Sequence, residues 1–305
     1  MTAAKKTAVV VGATSGIGQA CAKRLAQSDH WKVIAVGRSR PGRDEEIVKM
    51  LKDQSASGNG QEHEFRTCDA FSLKEVKKCA EDIMDDHEKI DAVVLTQGMA
   101  TTQGFTPTVD GNDEKLSLHY WSRFGMATTL LPALYKSDMT GGPVVLTVLS
   151  GGVHSAYKKY KEDPECKKKY SVTNAANIAG FYNDVGFDAL ARKTENKGIN
   201  IFHASPGFVN TNWGTEMPWY IKGPVRALQV FGRDPMRVAN IMLDPVFKSE
   251  AGKPMLKRPN GETEGIYIMD HNGLPDKLTP QHNAEARDFV WSVTKDVLGR
   301  AGINI

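Results

Sequence analysis

The stretch Thr7 to Gly18, TAVVVGATSGIG, decides the fold. A short apolar run rich in β-branched residues stops at Gly12, where the missing side chain permits a sharp turn. Gly16 and Gly18 then let the backbone come close to a phosphate and let a new helix pack on the strand. The first turn of that helix has N–H groups without intrahelical partners, and they attract anions. The glycine spacing, three residues and then one, departs from the commoner GxGxxG fingerprint. The strand, turn and helix in sequence are nevertheless the setting a nucleotide phosphate site requires. Gly12, Thr14, Ser15, Gly16, Ile17 and Gly18 are therefore candidate cofactor-binding residues.

Beyond the turn, Ile17, Ala20, Cys21, Leu25 and Ala26 fall at helical spacing, and Lys32 to Val36 reads as a buried strand. That strand runs into Gly37-Arg38-Ser39-Arg40. In a dinucleotide fold this strand end lies beside the adenosine ribose, where an acid suits a free 2′-hydroxyl and an arginine suits a 2′-phosphate. Arginines without an acid favour NADPH over NADH, with Arg38 as the candidate contact. Further strands are expected at 64–68, closing at Asp69, and at 91–96, before Gln97 and Gly98. Others follow at 143–149, before Ser150, at 199–204, before Pro206 and Gly207, and at 266–269. Between them, helices are expected at 44–54, 72–87, 113–135 (kinked or ended by Pro132), from Tyr170 through Val185, at 234–247 and at 280–298. Alternation of this kind with near-continuous apolar strands predicts an α/β Rossmann-type doubly wound parallel sheet of about seven strands in three layers, as one domain over 1–305. Two stretches stand out. The Lys-rich run 153–169 reads as an exposed insertion. Asn212 to Phe231 concentrates Trp213, Met217, Trp219, Tyr220 and Phe231, and reads as a lid over an apolar substrate, a packing element, or a dimer- or membrane-facing patch.

Composition excludes several classes. At 305 residues, 25% charged and 40% hydrophobic, the chain has ordinary globular proportions. A net charge of +3 with dispersed Lys and Arg proposes no nucleic-acid partner. Cys21, Cys68, Cys79 and Cys166 have no metal-binding spacing and read as reduced thiols of a cytoplasmic protein; no metal is expected. No apolar run reaches the length of a spanning helix, and MTAAKK leaves no room for a signal peptide before the first strand.

Taken together, the motifs resemble those of the short-chain dehydrogenase/reductase superfamily over essentially the whole length. VGATSGIG matches the family's TGxxxGIG turn, with Val11 in place of the usual threonine, whose hydroxyl helps fix the turn. Asp69 stands where the family's adenine-contacting Asp follows strand three. Pro206 to Thr211, PGFVNT, matches the stretch that holds the nicotinamide end and diphosphate, implying roles for Pro206, Gly207, Val209 and Thr211. YIMDHNG and the terminal helix with Trp291 look like the retinol-dehydrogenase-like branch, and LHYWSRF with YSVTNAAN looks like fungal reductase-like members. The resemblance implies a small-molecule carbonyl or alcohol substrate, apolar in view of the 212–231 segment, and a homo-oligomer.

The reacting end departs from the pattern. The family tetrad is Asn, Ser, Tyr and Lys, with Tyr and Lys spaced YxxxK. Ser150 matches the Ser and Tyr170 the Tyr, but Asn174 occupies the lysine position, His119 the asparagine position, and Gln97-Gly98 replaces part of NNAG. A YxxxK spacing at Tyr157 and Lys161 lies in the polar insertion, only seven residues past Ser150, and reads as two exposed residues. An ammonium near a phenol lowers its pKa by about one to three units. Asn174 can replace hydrogen bonds but not that charge. A tyrosine titrating near its usual value of about 10 is almost wholly protonated at neutral pH, which suits a proton donor better than a base. The expectation is an NADPH-dependent reductase in which Ser150 bonds the carbonyl oxygen and Tyr170 gives the proton, with His119 feeding protons or serving structure alone. The rival expectation is a non-catalytic NADP(H)-binding sensor or scaffold. A third, a lipid-surface oxidoreductase, draws on the Trp-rich and Lys-rich segments.

Overall fold

The computed structural model describes residues 5–55, 63–196, 198–211, 223 and 229–305. Its centre is a seven-stranded parallel sheet in the order β3-β2-β1-β4-β5-β6-β7. The strands are β1 (Lys6–Val11), β2 (Trp31–Gly37), β3 (Glu64–Thr67), β4 (Ala92–Leu95), β5 (Val144–Val148), β6 (Asn200–Ala204) and β7 (Tyr267–Met269). Strand side chains alternate between faces, and the apolar residues sort accordingly. Val9, Val11, Ile34, Val36, Val93 and Leu95 enter one core, while Ala8, Val10, Val33, Ala35, Ala92 and Val94 enter the other. Both faces are thus covered, as parallel sheets require. The strand order reverses direction between β1 and β4, so their carboxyl ends diverge and open a crevice there.

Helices close the two faces. α1 (Gly16–Ala26) follows the glycine turn, and α2 (Arg43–Lys52) follows β2. α3 (Leu73–Asp86) is capped by the Ser72 hydroxyl, which accepts from the Glu75 amide, and buries Leu73, Val76, Ala80 and Ile83. The region expected as one helix at 113–135 is interrupted. It runs as α4 (Glu114–Leu116), a π-helical turn at Ser117–Trp121, α5 (Ser122–Thr129) and, past Leu130, α6 (Leu131–Leu134) with Pro132 in its first turn. α7 (Val172–Ala191) begins two residues later than expected, because Ser171 takes the N-cap and accepts from the Asn174 amide at 3.0 Å. The helix expected at 234–247 is two, Pro235–Met242 and Asp244–Glu250, divided at Leu243 ahead of Pro245. The closing helix spans Ala284–Gly299.

The insertion 153–169 is less exposed than its lysines suggested. Tyr157, Asp163 and Cys166 are buried, and Tyr182 donates its hydroxyl to Pro164 O at 3.0 Å. Asp163 accepts from the amides of Lys167, Lys168 and Lys169 at 2.8–2.9 Å, so one buried carboxylate shapes the loop while the ammonium groups stay in water. Most of the 212–231 segment, and with it the reading as a lid, lies outside the described residues. Among the described residues no helix is long and apolar enough to cross a membrane.

Candidate active site

Gly12 and Gly16 have φ of +85° and +57°. A Cβ at Gly12 would stand 2.7 Å from the Gln97 amide nitrogen, and one at Gly18 would stand 2.3 Å from Gly12 O, so strand, turn and helix meet at distances only glycine permits. Val11 lacks the hydroxyl of the family's threonine, but the turn is still pinned. Thr96, at the end of the neighbouring strand, donates its hydroxyl to Val11 O at 2.7 Å. Ser15 sits at the N-cap of α1 in extended backbone, and its side chain does not take up the amides of the first turn.

A cavity of about 1040 Å³ crosses the carboxyl ends of β2, β1, β4, β5 and β6. Gly12, Thr14, Ser15, Gly16, Ile17, Gly18, Arg38, Gln97, Gly98, Pro206, Gly207, Val209 and Thr211 all line it. Asp69 does not. Its carboxylate accepts from the Phe71 amide at 3.1 Å and shapes the turn, leaving Cys68, Ala70 and Phe71 as the wall. The Arg38 guanidinium lies 5.6 Å from the Phe71 ring centroid. Arg40 is paired with Glu46 at 2.6 Å. Arg43 is held below the usual arginine range by partial burial and by the positive charges of Arg40 and Arg38. Three guanidinium groups around one loop repel each other, and a bound dianion relieves that repulsion.

At the other end the π turn brings His119 and Arg123 to the cavity wall. The turn also frees backbone carbonyls. Asn183 donates to His119 O at 2.7 Å, and Arg123 Nε approaches Leu118 O at 3.3 Å. Arg123 further donates to Gln97 O, to Thr147 Oγ1 at 2.9 Å and to Val148 O at 2.8 Å. Its guanidinium thus ties β4, β5 and the π turn together without a carboxylate, and burial draws it down to about 9. His119 Nε2 accepts from the Met99 amide at 3.1 Å. Burial first, then the charges of Arg123 and Lys115, push that imidazole down to about 3, so it is neutral. Gln97 donates to Ser122, while its Oε1 and the Ser150 hydroxyl are buried without a partner among the described residues.

Of the tetrad matches, only His119 lines the cavity among the described residues. Ser150 follows the wall residues Val148 and Leu149, with its amide donating to His203 Nε2 at 3.1 Å. Tyr170 lies before the helix and points away. Its hydroxyl is 3.4 Å from Asp113 Oδ1, and its ring meets Phe105 edge-on at 5.9 Å. Burial, then the Asp113 charge, raises that hydroxyl well above the ordinary tyrosine range. Asn174 donates to Lys169 O at 2.8 Å, within its own helix start. Tyr157 and Lys161 are also outside the cavity, and Lys161 pairs with Glu285. Beneath Ser150, buried Asp184 bonds His203 Nδ1 at 2.7 Å and His282 Nε2 at 3.2 Å. Burial acts to raise its carboxyl, but the two imidazoles outweigh that and hold it below the usual range.

Arg123 and His154 were missed as site residues in the sequence, and both line the cavity. Arg123 had one available signal, a charge inside the apolar LHYWSRFGMATTLL. His154 had its place four residues after Ser150, obscured by the lysines behind it.

A family model for short chain dehydrogenases matches residues 6–218. An NmrA-like family domain-containing oxidoreductase from Aspergillus is 27% identical over 81% of this chain and 67% of its own length. Retinol dehydrogenase 14 from Mus musculus is 26% identical over 68% of this chain and 63% of its own length, so the chain spans about two thirds of these relatives. An NADPH-bound carbonyl reductase from chicken fatty liver superposes with a TM-score of 0.60 at 15% identity, covering 90% of this chain and 99% of that one. The glycine turn, the sheet order and the match over most of its length make the chain a member of the short-chain dehydrogenase family, and an oxidoreductase by that membership.

Proposed function

We propose that this protein uses NADP(H) to reduce a ketone, aldehyde or quinone carbonyl of an apolar small molecule. The observation that carries the reading is the single cavity joining two chemistries. One end has the glycine turn and Arg38, with Arg40 and Arg43 following in sequence, and the other has Met99, Leu118, Leu149 and Phe208, with Ser150 next in the chain after Leu149. The glycine cradle and Arg38 at the end of β2 fit a dinucleotide with a 2′-phosphate. Proteins of similar fold hold NADPH or NADP, which agrees with that choice. When bound, the dihydronicotinamide supplies a hydride to the carbonyl carbon. This chain's own part is to seat the phosphates on the turn, to receive the carbonyl among the apolar side chains, and to offer the Ser150 hydroxyl to its oxygen. Neutral His119 and cationic Arg123 hold the loop Gln97–Met99 in place beside it.

A second reading, a cofactor-binding sensor without turnover, is favoured by the placement of Tyr170 and Asn174 outside the cavity. NADPH oxidation against a panel of quinones, ketones and aldehydes separates the two. The reductase reading expects turnover on at least one bulky apolar carbonyl. Thermal stabilisation by NADPH with no turnover on any member supports the sensor.

A further inference from the structure

The geometry assigns the proton-donor role to His154, whose imidazole lines the cavity and is oriented by Asn177, in place of Tyr170; this rests on the reductase reading. Three observations carry it. First, the side chain at the family's tyrosine position is held on Asp113, outside the cavity. Second, His154 lines the cavity together with Leu149 and Phe208, at the end opposite Arg38, and it follows Ser150 by four residues. Third, the imidazole has a built seat. A Cβ at Gly180 would collide with His154 Cδ2 and stand 2.8 Å from its Cγ, so the ring packs against a glycine in the middle of a long helix. Glycine in a helix interior costs about 1 kcal/mol relative to alanine, and here the missing methyl is what admits the ring.

The orientation follows from the partner. His154 Nδ1 lies 3.0 Å from Asn177 Oδ1. An amide oxygen only accepts, so Nδ1 carries a hydrogen in both protonation states and Nε2 is the nitrogen that gains and loses the proton. In the reduction the carbonyl π bond breaks as hydride from the dihydronicotinamide forms the new C–H bond. The Nε2 proton forms the O–H bond. The carbonyl is reduced, the dinucleotide is oxidised, and the imidazolium becomes neutral imidazole, which takes its next proton from solvent because His154 is only half-buried. Among the described residues, the titratable groups on the surrounding elements include Asp184 on α7, bound to His203 and His282, His119 from the π turn, Arg123 on α5 and Glu114 on α4.

The test compares H154A, N177L and Y170F in the full chain, using NADPH and the best carbonyl of the panel. A positioned general acid contributes about 10²–10⁴-fold. H154A is expected to lose that much in kcat, with KM little changed, and to regain activity when free imidazole is added to fill the Gly180 seat. Y170F is expected to retain most of its activity. Long-range ¹⁵N NMR of the resting protein supplies a readout independent of turnover: His154 is expected as the Nδ1–H tautomer, and N177L is expected to lose that preference. Full activity in H154A, loss without imidazole rescue in a folded H154A, or an Nε2–H tautomer in the wild-type protein each overturns the assignment while leaving the reductase reading intact. Absence of hydride transfer in the wild-type protein overturns both.

Discussion

Arg38→Ala tests the proposed cofactor end, because Arg38 pairs with no acid among the described residues and projects from the end of β2 over Phe71 into the cavity. A guanidinium bound to a phosphate forms charge-assisted hydrogen bonds worth about 1.5–3 kcal/mol when sheltered. Arg38 is exposed, so screening reduces the expected loss to about 1–2 kcal/mol, or roughly 5- to 30-fold in Kd. The loss falls on NADPH alone, since NADH has no 2′-phosphate. Removing one of three neighbouring cations also relieves Arg43, whose guanidinium Arg38 and Arg40 now disfavour, so a slight gain in stability without cofactor is expected. Titrations of both dinucleotides by calorimetry or nicotinamide fluorescence, at low and at physiological salt, measure the effect. A wild-type preference for NADPH that weakens with salt and narrows in Arg38→Ala is the expected result. Equal loss for NADPH and NADH, or no loss for either, would refute the 2′-phosphate reading.

Other consequences lie in the buried polar groups. Asp184→Asn weakens the acceptor shared by His203, His282 and the Gly152 amide; a loss of about 3 kcal/mol is expected, lowering Tm by roughly 5 °C in calorimetry. Burial and nearby cations hold His119 down to about 3 and His63 to about 4, so between these values and the unfolded value of about 6.5 the unfolded chain binds more protons than the folded one. Stability is therefore expected to fall as pH drops from about 6.5, by about 2 kcal/mol per group by pH 5. Urea unfolding at the two pH values checks this, and His119→Gln is expected to remove about half of the slope.

The fold was legible because each of its parts is local. Four apolar residues, Ala8 to Val11, before Gly12 read as a strand buried on two faces, and the glycine contacts explain why the turn tolerates no side chain. The cavity wall followed for the same reason: the candidates lie at or just past the strands' carboxyl ends, where parallel topology gathers ligands, and Asp69 alone of them turns its carboxylate to the backbone and leaves the wall. The reacting end was less legible because it depends on partners far apart in sequence. Ser171, a better N-cap than Tyr170, moves the start of α7 and leaves the tyrosine to Asp113. Asp163 folds a lysine-rich run inward that composition alone places in solvent. Arg123 is a cation in a long apolar run whose role shows only in the fold, where the Leu118 carbonyl beside the π turn and the carbonyls of Gln97, past β4, and Val148, on β5, meet it.

Hydride transfer is the most direct measure of the central claim. NADPH deuterated at the transferring position, incubated with the protein and the panel carbonyls, is expected to yield an alcohol carrying deuterium on the former carbonyl carbon, with NADP as the other product. Binding of NADPH without deuterium in any product would contradict the account and leave a protein that holds the cofactor and does no chemistry with it.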